Sequence, residues 1–379
     1  MTYLVYLNHY NIRQCEAQYL NMLYCILTTQ LDSFFVLSNE YLKTYSASQR
    51  WEVTKALHYF KTEETLKKKV SEAKYIVMQK PDELIKESVP SKLLYKTVNE
   101  TIPEEVEIIE KILSENSISA GITWVNNKCF RDTLSKHGLL TIHHEMGPFR
   151  PNSYVNTFYL DFNGVNGDTE FESRFKDFLK ISNKVPILSR EKLIRVLSPH
   201  NYKRLTEVLF NQKREFKAGV GLQVEVDTNL LLFNDGYSWI DPVLQAEADN
   251  DGKILVRPHP VASYALKPSR RIVIDDISKG DAINFINRCE KIYCLNSSVG
   301  LEALLLGRKA VIIGESPFRS LCNMDEEMQL KALNFAVFGY LIHGFYLYND
   351  EYYRFRIKNR GNEKLIYLDN MKRFLEKAK

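Results

Sequence analysis

The sequence has no Cys-x-x-Cys pair. Its six cysteines (Cys15, Cys25, Cys129, Cys289, Cys294 and Cys322) stand far apart. That spacing excludes a zinc ribbon and gives no disulfide framework, so reduced thiols in the cytosol are expected. Long hydrophobic runs are missing too. A membrane-spanning helix needs roughly 20 apolar residues, and the nearest candidate, ALNFAVFGYLI from Ala332, reads instead as a core helix. The opening stretch, MTYLVYLNHYNIRQCEAQYL, lacks the basic flank and small-residue cleavage site of a secretory signal. Charge of one sign is scarce: 51 Lys and Arg against 47 Asp and Glu leave +4 over 379 residues. That is too little to argue for a nucleic-acid partner, but it suits anionic substrates or an anionic membrane surface. No internal repeat and no low-complexity linker interrupts the chain.

What is present is an ordinary globular composition, 45% hydrophobic and 26% charged, long enough for two domains. The first 110 residues read as mainly helical. Among them TIPEEVEIIEKIL is well signalled, with Thr101 as the expected cap and Glu104 three residues on. From Ser119 the pattern changes to AGITWV, KCFRDTLSKHG and LLTIHHE, a βαβ unit. A mixed-charge helical connection follows over 176–217. Strand-like and helix-like segments then alternate: GVGLQVEVD, WIDPVLQAEA, KILVRPHP, RRIVIDD, DAINFINRC, KIYCL, VGLEALLLG and KAVIIG. Such alternation predicts a parallel sheet with helices on both faces. The stretch from about Asp350 reads as helical.

In open α/β sheets ligands gather at the carboxyl ends of the strands, so the residues following each strand are the candidates. After KIYCL come Asn296, Ser297 and Ser298, opening a helix whose free N–H groups and dipole favour an anion. Gly300 permits a close approach, and Glu302 can accept hydrogen bonds from ribose hydroxyls. The competing reading is a serine cap on a buried helix. After KILV come Arg257-Pro258-His259-Pro260, where two prolines hold the imidazole so that it can donate to a phosphate and stabilise its departure; a plain turn histidine is the alternative. In LQVEVD, period-2 spacing puts Gln223, Glu225 and Asp227 on one face. A central parallel strand is ordinarily apolar on both faces, so this polar stripe points to a site rather than to a half-exposed strand. HHEMGPFRP places Glu145 at a strand end and Arg150 where it can grip a carboxylate or phosphate bidentately; a Pro/Gly turn with solvated charges competes. The adjacent His143 and His144 point to opposite faces with no third ligand nearby, so no metal is expected.

The pairing of the His-Pro dipeptide with the Ser-Ser helix start resembles glycosyltransferases that use CMP-activated nonulosonic-type sugars. The finer resemblance is to the bacterial capsule and lipopolysaccharide β-Kdo transferases (Kdo is 3-deoxy-D-manno-oct-2-ulosonic acid). It rests on Glu145, Gly147, Arg150-Pro151, Asp161 and Gly164-Val165-Asn166, on Gln223, Glu225 and Asp227, and on the tail FAVFGYLIHGFYLYNDEYYRFR. It spans roughly Leu139 to Arg356, with HHEMGPF and FYLDFNGVN as partial matches. The resemblance implies a GT-B-like architecture, two Rossmann-like domains facing across a cleft. Residues 1–205 would form the acceptor-side domain, completed by helices in 350–379, and residues 206–349 the CMP-sugar domain. It also implies a retaining transfer of Kdo from CMP-β-Kdo to a glycan or glycolipid acceptor by two displacements. Asp227 would be the nucleophile and Glu145 the acid/base. His259, Ser297 and Ser298 would hold the CMP phosphate, with Arg150 on the sugar carboxylate and Asn166, Gln223, Glu225, Arg257, Asn296 and Glu302 lining the substrates. No metal or other cofactor is called for.

Three other readings compete. An inverting CMP-sialic acid transferase needs only a general base and leaves the Gln-Glu-Asp pattern unexplained. A sugar-nucleotide epimerase of similar build would carry DSGG where this chain has NSSVG. A non-catalytic pathway component would tolerate loss of Asp227. A cytoplasmic location is expected, with peripheral contact at the inner membrane an option through the basic and aromatic segment Tyr352–Arg360; a solvated helix with its apolar side in the core is the stronger expectation there.

Overall fold

The computed structural model describes residues 1–7, 22–23, 25–27, 29, 31–37, 72–77, 99–124, 126–224, 228–260 and 266–378. The chain divides into two compact units. The first comprises 1–145, 160–165 and 346–360; the second comprises 146–159, 166–345 and 361–379. The segment 1–205 expected for the N-terminal domain is thus shared between both units. Each unit contains a parallel sheet, so the α/β class read from the sequence holds.

The first unit is built on β1 (Tyr3–Leu7), β2 (Ser33–Leu37), β3 (Lys74–Val77), β4 (Ala120–Trp124) and β5 (Leu140–Met146). These run parallel in the order β5-β4-β1-β2-β3. Among the described residues of the first 110, three strands are present; the expectation of a mainly helical stretch falls largely outside the described residues. YLVYL and SFFVL are short continuous apolar runs, and periodicity alone does not separate a fully buried parallel strand from a buried helix segment. Every residue of β1 is buried. Against this sheet pack α1 (Pro103–Glu115) through Ile109 and Ile112, and α2 (Lys128–Lys136) through Phe130 and Leu134. The i,i+3 and i,i+4 spacings put each pair on one face, and each such side chain contributes about 1.5–3 kcal/mol on burial. Thr101 does not cap α1. The cap position is Ile102, without a side-chain bond, and Pro103 opens the helix, where its missing N–H costs nothing. Asn127 does cap α2, accepting from the Phe130 N–H at 2.9 Å.

The second unit contains β7 (Phe216–Gly221), β8 (Ile254–Arg257), β9 (Ile272–Ile274), β10 (Cys289–Cys294) and β11 (Lys309–Ile312), all parallel, in the order β11-β10-β7-β8-β9. Helices α7 (Asp241–Asp249), α8 (Ala282–Asn287) and α9 (Val299–Leu305) alternate with them as the sequence pattern predicts. One core cluster joins Ala218 and Val220 of β7 to Val243 and Ala246 of α7, Ile254 and Val256 of β8, and Tyr293 of β10. The same unit holds α3 (Phe171–Leu179), α4 (Arg190–Leu197), α5 (Tyr202–Phe210), α6 (Thr228–Leu232), α10 (Glu326–Phe335) and α12 (Glu363–Lys377). α3, α4 and α5 fill the expected helical connection.

ALNFAVFGYLI is buried, but not as one helix. α10 ends at Phe335, a π-helical turn spans Ala336–Tyr340, and β12 (Leu341–His343) pairs antiparallel with β6 (Thr157–Asp161) through Leu341↔Tyr159 and His343↔Thr157. α11 (Asp350–Lys358) belongs to the first unit and buries Tyr352, Tyr353 and Arg356. These side chains therefore lie in the core of that unit. Among the described residues no helix is long and apolar enough to cross a membrane.

Candidate functional site

The order β11-β10-β7-β8-β9 contains a reversal. From β7 the chain proceeds outward through β8 and β9, then returns to place β10 on the opposite flank of β7. The crevice at the carboxyl ends of β7 and β10 is therefore the topological switch point, where parallel sheets hold ligands. Three of the candidate motifs sit on these adjacent strand ends: Gln223 after β7, Asn296-Ser297-Ser298 after β10, and Arg257-Pro258-His259 at the end of β8.

The strand after AGVG is shorter than the sequence suggests. β7 ends at Gly221, so Gln223 is not part of a period-2 strand face; Glu225 and Asp227 lie outside the described residues. The reason is a side-chain clamp. Gln223 Nε2 donates to Asn296 Oδ1 at 2.8 Å, and the Asn296 backbone N–H donates to Gln223 Oε1 at 3.0 Å. Asn296 Nδ2 then donates to the carbonyls of Asn229 and Phe233 at 3.0 and 2.9 Å. Backbone groups that leave the ladder must still be paired, and these two carboxamides hold the walls of the crevice at a fixed separation.

Ser297 Oγ accepts from the Val299 N–H at 3.3 Å, and Ser298 occupies the cap position of α9 in a helical conformation with no side-chain cap bond. Gly300 is needed for packing: a Cβ there would meet Ile312 at 2.8 Å and Cys294 Sγ at 3.2 Å. Its close approach is to the sheet, which seats α9 directly on β10 and β11. His259 is partly buried in the loop after β8. Arg257 is engaged, donating to Asp275 at 2.5 Å and to the Gly280 carbonyl at 2.8 Å, while Arg288 reaches the other Asp275 oxygen at 3.1 Å. It ties β8 to the segment after β9.

Glu302 stands one turn into α9, partly buried. Burial, with Asp281 nearby, pushes its carboxyl up to about 8, against the opposing pull of Arg150 and the Tyr154 hydroxyl. Tyr154 is 8% exposed, and its hydroxyl sits beside Glu302 without a fully formed hydrogen bond. Nothing in the spacing around Pro151 distinguishes this tyrosine, so sequence reasoning missed it. Arg150 is exposed, with Nε donating to the Gly147 carbonyl at 3.2 Å. Arg204 grips Asp281 through both terminal nitrogens, at 2.8 and 2.6 Å. Asn166, 8% exposed, takes a left-handed φ of 68°, a conformation asparagine tolerates better than most residues.

A carboxyl raised in the fold is protonated there while ionised in the unfolded chain. Stability is then lost as pH rises from the unfolded value near 4.5 to about 8. Glu302→Gln is expected to flatten that decline, so that the melting temperatures of variant and wild type diverge between pH 5 and pH 8, the variant being the more stable at the upper end. Parallel curves over that window would contradict the assignment.

In the first unit Glu145 lies near the end of β5, partly buried, and His143 and His144 are wholly buried. His144 Nε2 meets the Tyr353 hydroxyl at 2.7 Å. The Asp161 carboxylate accepts from the N–H groups of Asn163 and Gly164 at 2.7 and 3.2 Å, and Asn126 bonds Val165 in both directions. This part of the motif shapes a turn.

Residues 5–170 match the family described as the glycosyltransferase 99 family N-terminal domain, and residues 196–321 match the family of capsule polysaccharide biosynthesis proteins. No curated protein matches the sequence. Among solved structures, the β-Kdo 2,7 transferase of Thermosulfurimonas dismutans KpsC is 15% identical, covering 68% of this chain and 90% of its own at a TM-score of 0.41. The β-Kdo 2,4 transferase of the same protein is 15% identical, covering 62% and 88% at a TM-score of 0.39. Methanocaldococcus jannaschii UDP-GlcNAc 2-epimerase is 14% identical, covering 88% and 92% at a TM-score of 0.32. The two family matches, in this order along the chain, identify a glycosyltransferase of capsule polysaccharide biosynthesis.

Proposed function

We propose that this glycosyltransferase of capsule polysaccharide biosynthesis moves Kdo from CMP-β-Kdo to a surface-polysaccharide glycan with retention of configuration. The observation that carries the reading is the convergence of three motifs on one switch point. The order β10-β7-β8 sets the Ser297-Ser298 turn, the segment leading to Glu225 and Asp227, and the His259 loop side by side.

In the first step the Asp227 carboxylate attacks the anomeric carbon of Kdo. The bond from that carbon to the phosphate oxygen breaks, and CMP departs with the electron pair. Donors aimed at the phosphate stabilise the charge that grows on it; His259, Ser297 and Ser298 supply them. Glu302 accepts from the ribose hydroxyls. Arg150, whose Nε alone is held by the protein, offers its terminal nitrogens to the Kdo carboxylate. In the second step Glu145 takes the proton of the acceptor hydroxyl. The resulting oxygen attacks the same carbon, the ester to Asp227 breaks, and the carboxylate is regenerated. Two inversions give retention. A monophosphate leaving group neutralised in this way needs no metal.

The test is intact-mass analysis after incubation with freshly made CMP-β-Kdo and no acceptor, beside an Asp227→Asn control. The expected result is a gain of one Kdo residue on the wild type and none on the control. Release of CMP without an adduct in either protein would move the nucleophile away from Asp227. Neither adduct nor CMP would refute the Kdo donor.

A further inference from the structure

We propose that Arg356 is the centre of an oxyanion site in the first unit, one that takes a carboxylate or phosphate group carried by the glycan acceptor. Arg356 is 0% exposed. One of its nitrogens, Nη1, donates to the Tyr352 hydroxyl at 2.9 Å, while Nε and Nη2 are buried with no hydrogen-bond partner. A guanidinium keeps its charge in a protein, and a buried charge is ordinarily paired. Arg174 is held by Glu363 and Arg257 by Asp275, while Arg308 donates to the carbonyls of Leu306 and Val208. Among the described residues Arg356 bonds a phenol and neither a carboxylate nor a carbonyl. A second buried polar group of the first unit is unsatisfied as well: the hydroxyl of Tyr348, a residue 1% exposed.

The surroundings suit a sugar acid or a phosphorylated sugar. α11 starts beside the beginning of β1, where the Tyr3 hydroxyl bonds Asp350 at 2.9 Å. One turn on, Tyr353 reaches His144 near the carboxyl end of β5. Arg356 follows on the same buried face, so it lies toward the edge of the sheet where ligands are held. Tyr348, Tyr353 and His144 form an aromatic group with ring centroids 5.6–6.5 Å apart. Tyr348 is held at φ 57°, a strained conformation for an aromatic residue and of the kind that collects at ligand sites. A planar fork with unused donors is the side chain suited to bidentate capture of an oxyanion.

That the anion belongs to the acceptor rests on the transferase reading; the anion site itself does not. The experiment therefore uses the full chain without sugar nucleotide. Sodium phosphate and sodium gluconate are titrated separately at constant ionic strength, followed by calorimetry and melting temperature, for wild type, Arg356→Met and Arg356→Lys. At least one anion is expected to bind and stabilise the wild type, with affinity reduced at least ten-fold in Arg356→Met and to a lesser extent in Arg356→Lys. Without anion, Arg356→Met is expected to melt at or above the wild type, because an apolar chain of similar length replaces an unpaired charge. Preference for phosphate would indicate a phosphorylated acceptor, and preference for gluconate a sugar acid. Failure of both anions to bind, or equal binding to wild type and Arg356→Met, overturns the proposal. Should Arg356→Met not fold, unchanged anion affinity in Arg356→Lys overturns it.

Discussion

His259→Ala lowers kcat for transfer from CMP-β-Kdo by about 10²–10³-fold, with a much smaller change in KM. The magnitude is that of removing one preorganised donor from a site where charge develops. Before the bond to the anomeric carbon breaks, the phosphodiester carries one negative charge; as CMP leaves, a second charge grows on the departing oxygen. A donor to that oxygen strengthens as the reaction proceeds, so its loss falls on kcat rather than on binding. The position supports this role. His259 follows directly on β8, whose backbone is fixed to β7 and β9, and Pro258 limits the loop's freedom. Arg257 is already committed to Asp275 and Gly280, which anchors the base of the loop without supplying a free cation. Steady-state CMP release measured over a range of donor concentrations separates kcat from KM. His259→Gln, which keeps an N–H donor, should recover part of the loss. A ten-fold rise in KM with kcat unchanged would remove His259 from the leaving-group role and leave it as a ground-state contact. Adding Ser297→Ala to His259→Ala should cost less than the product of the single effects, because both serve one phosphate.

Much of this arrangement is legible in the amino-acid sequence. The alternation from GVGLQ to KAVIIG gave the second sheet almost element by element, because β-branched runs of four to six residues alternate with helices of clear periodicity. The residues to inspect followed from the strand ends alone. Three features were not legible, each for a physical reason. β1 is buried on both faces, so YLVYL carries no alternation by which a strand could be told from a helical segment. The end of β7 is set by a tertiary clamp between Gln223 and Asn296, 73 residues apart, which a local pattern does not encode. Tyr154 comes to Glu302 from a turn with no motif of its own. The carboxamides of Gln223 and Asn296 looked like ligand-binding groups because polar residues at strand ends usually are; here they bond each other and shape the crevice.

Arg174→Ala is expected to cost the second unit about 3–5 kcal/mol, the penalty for leaving a buried carboxylate without its partner. Arg174, on α3, donates through Nε and Nη2 to both oxygens of Glu363 at 2.9 and 3.0 Å, and through Nη2 to the Gly339 carbonyl at 2.6 Å. The side chains are 11% and 3% exposed. Its guanidinium also lies over the rings of Phe335 and Tyr340 at 5.8 and 5.9 Å. The pair therefore fastens three elements at once: α3, the π-helical turn, whose Gly339 carbonyl is left without a regular helical partner, and the first turn of α12. Glu363 sits at the amino end of α12, where the helix dipole favours its charge, so Glu363→Ala should be as damaging as Arg174→Ala. The charges need not be the better solution energetically. Arg174→Met with Glu363→Leu removes both desolvation penalties, and the double variant should regain most of the loss. Chemical denaturation of the two single variants and the double variant, followed by circular dichroism, completes the cycle. A cost below about 1 kcal/mol for either single variant would mean that water already reaches the pair. A double variant no better than the singles would mean that the bond from Arg174 to the Gly339 carbonyl, which holds α3 to the π-helical turn, matters more than the ion pair.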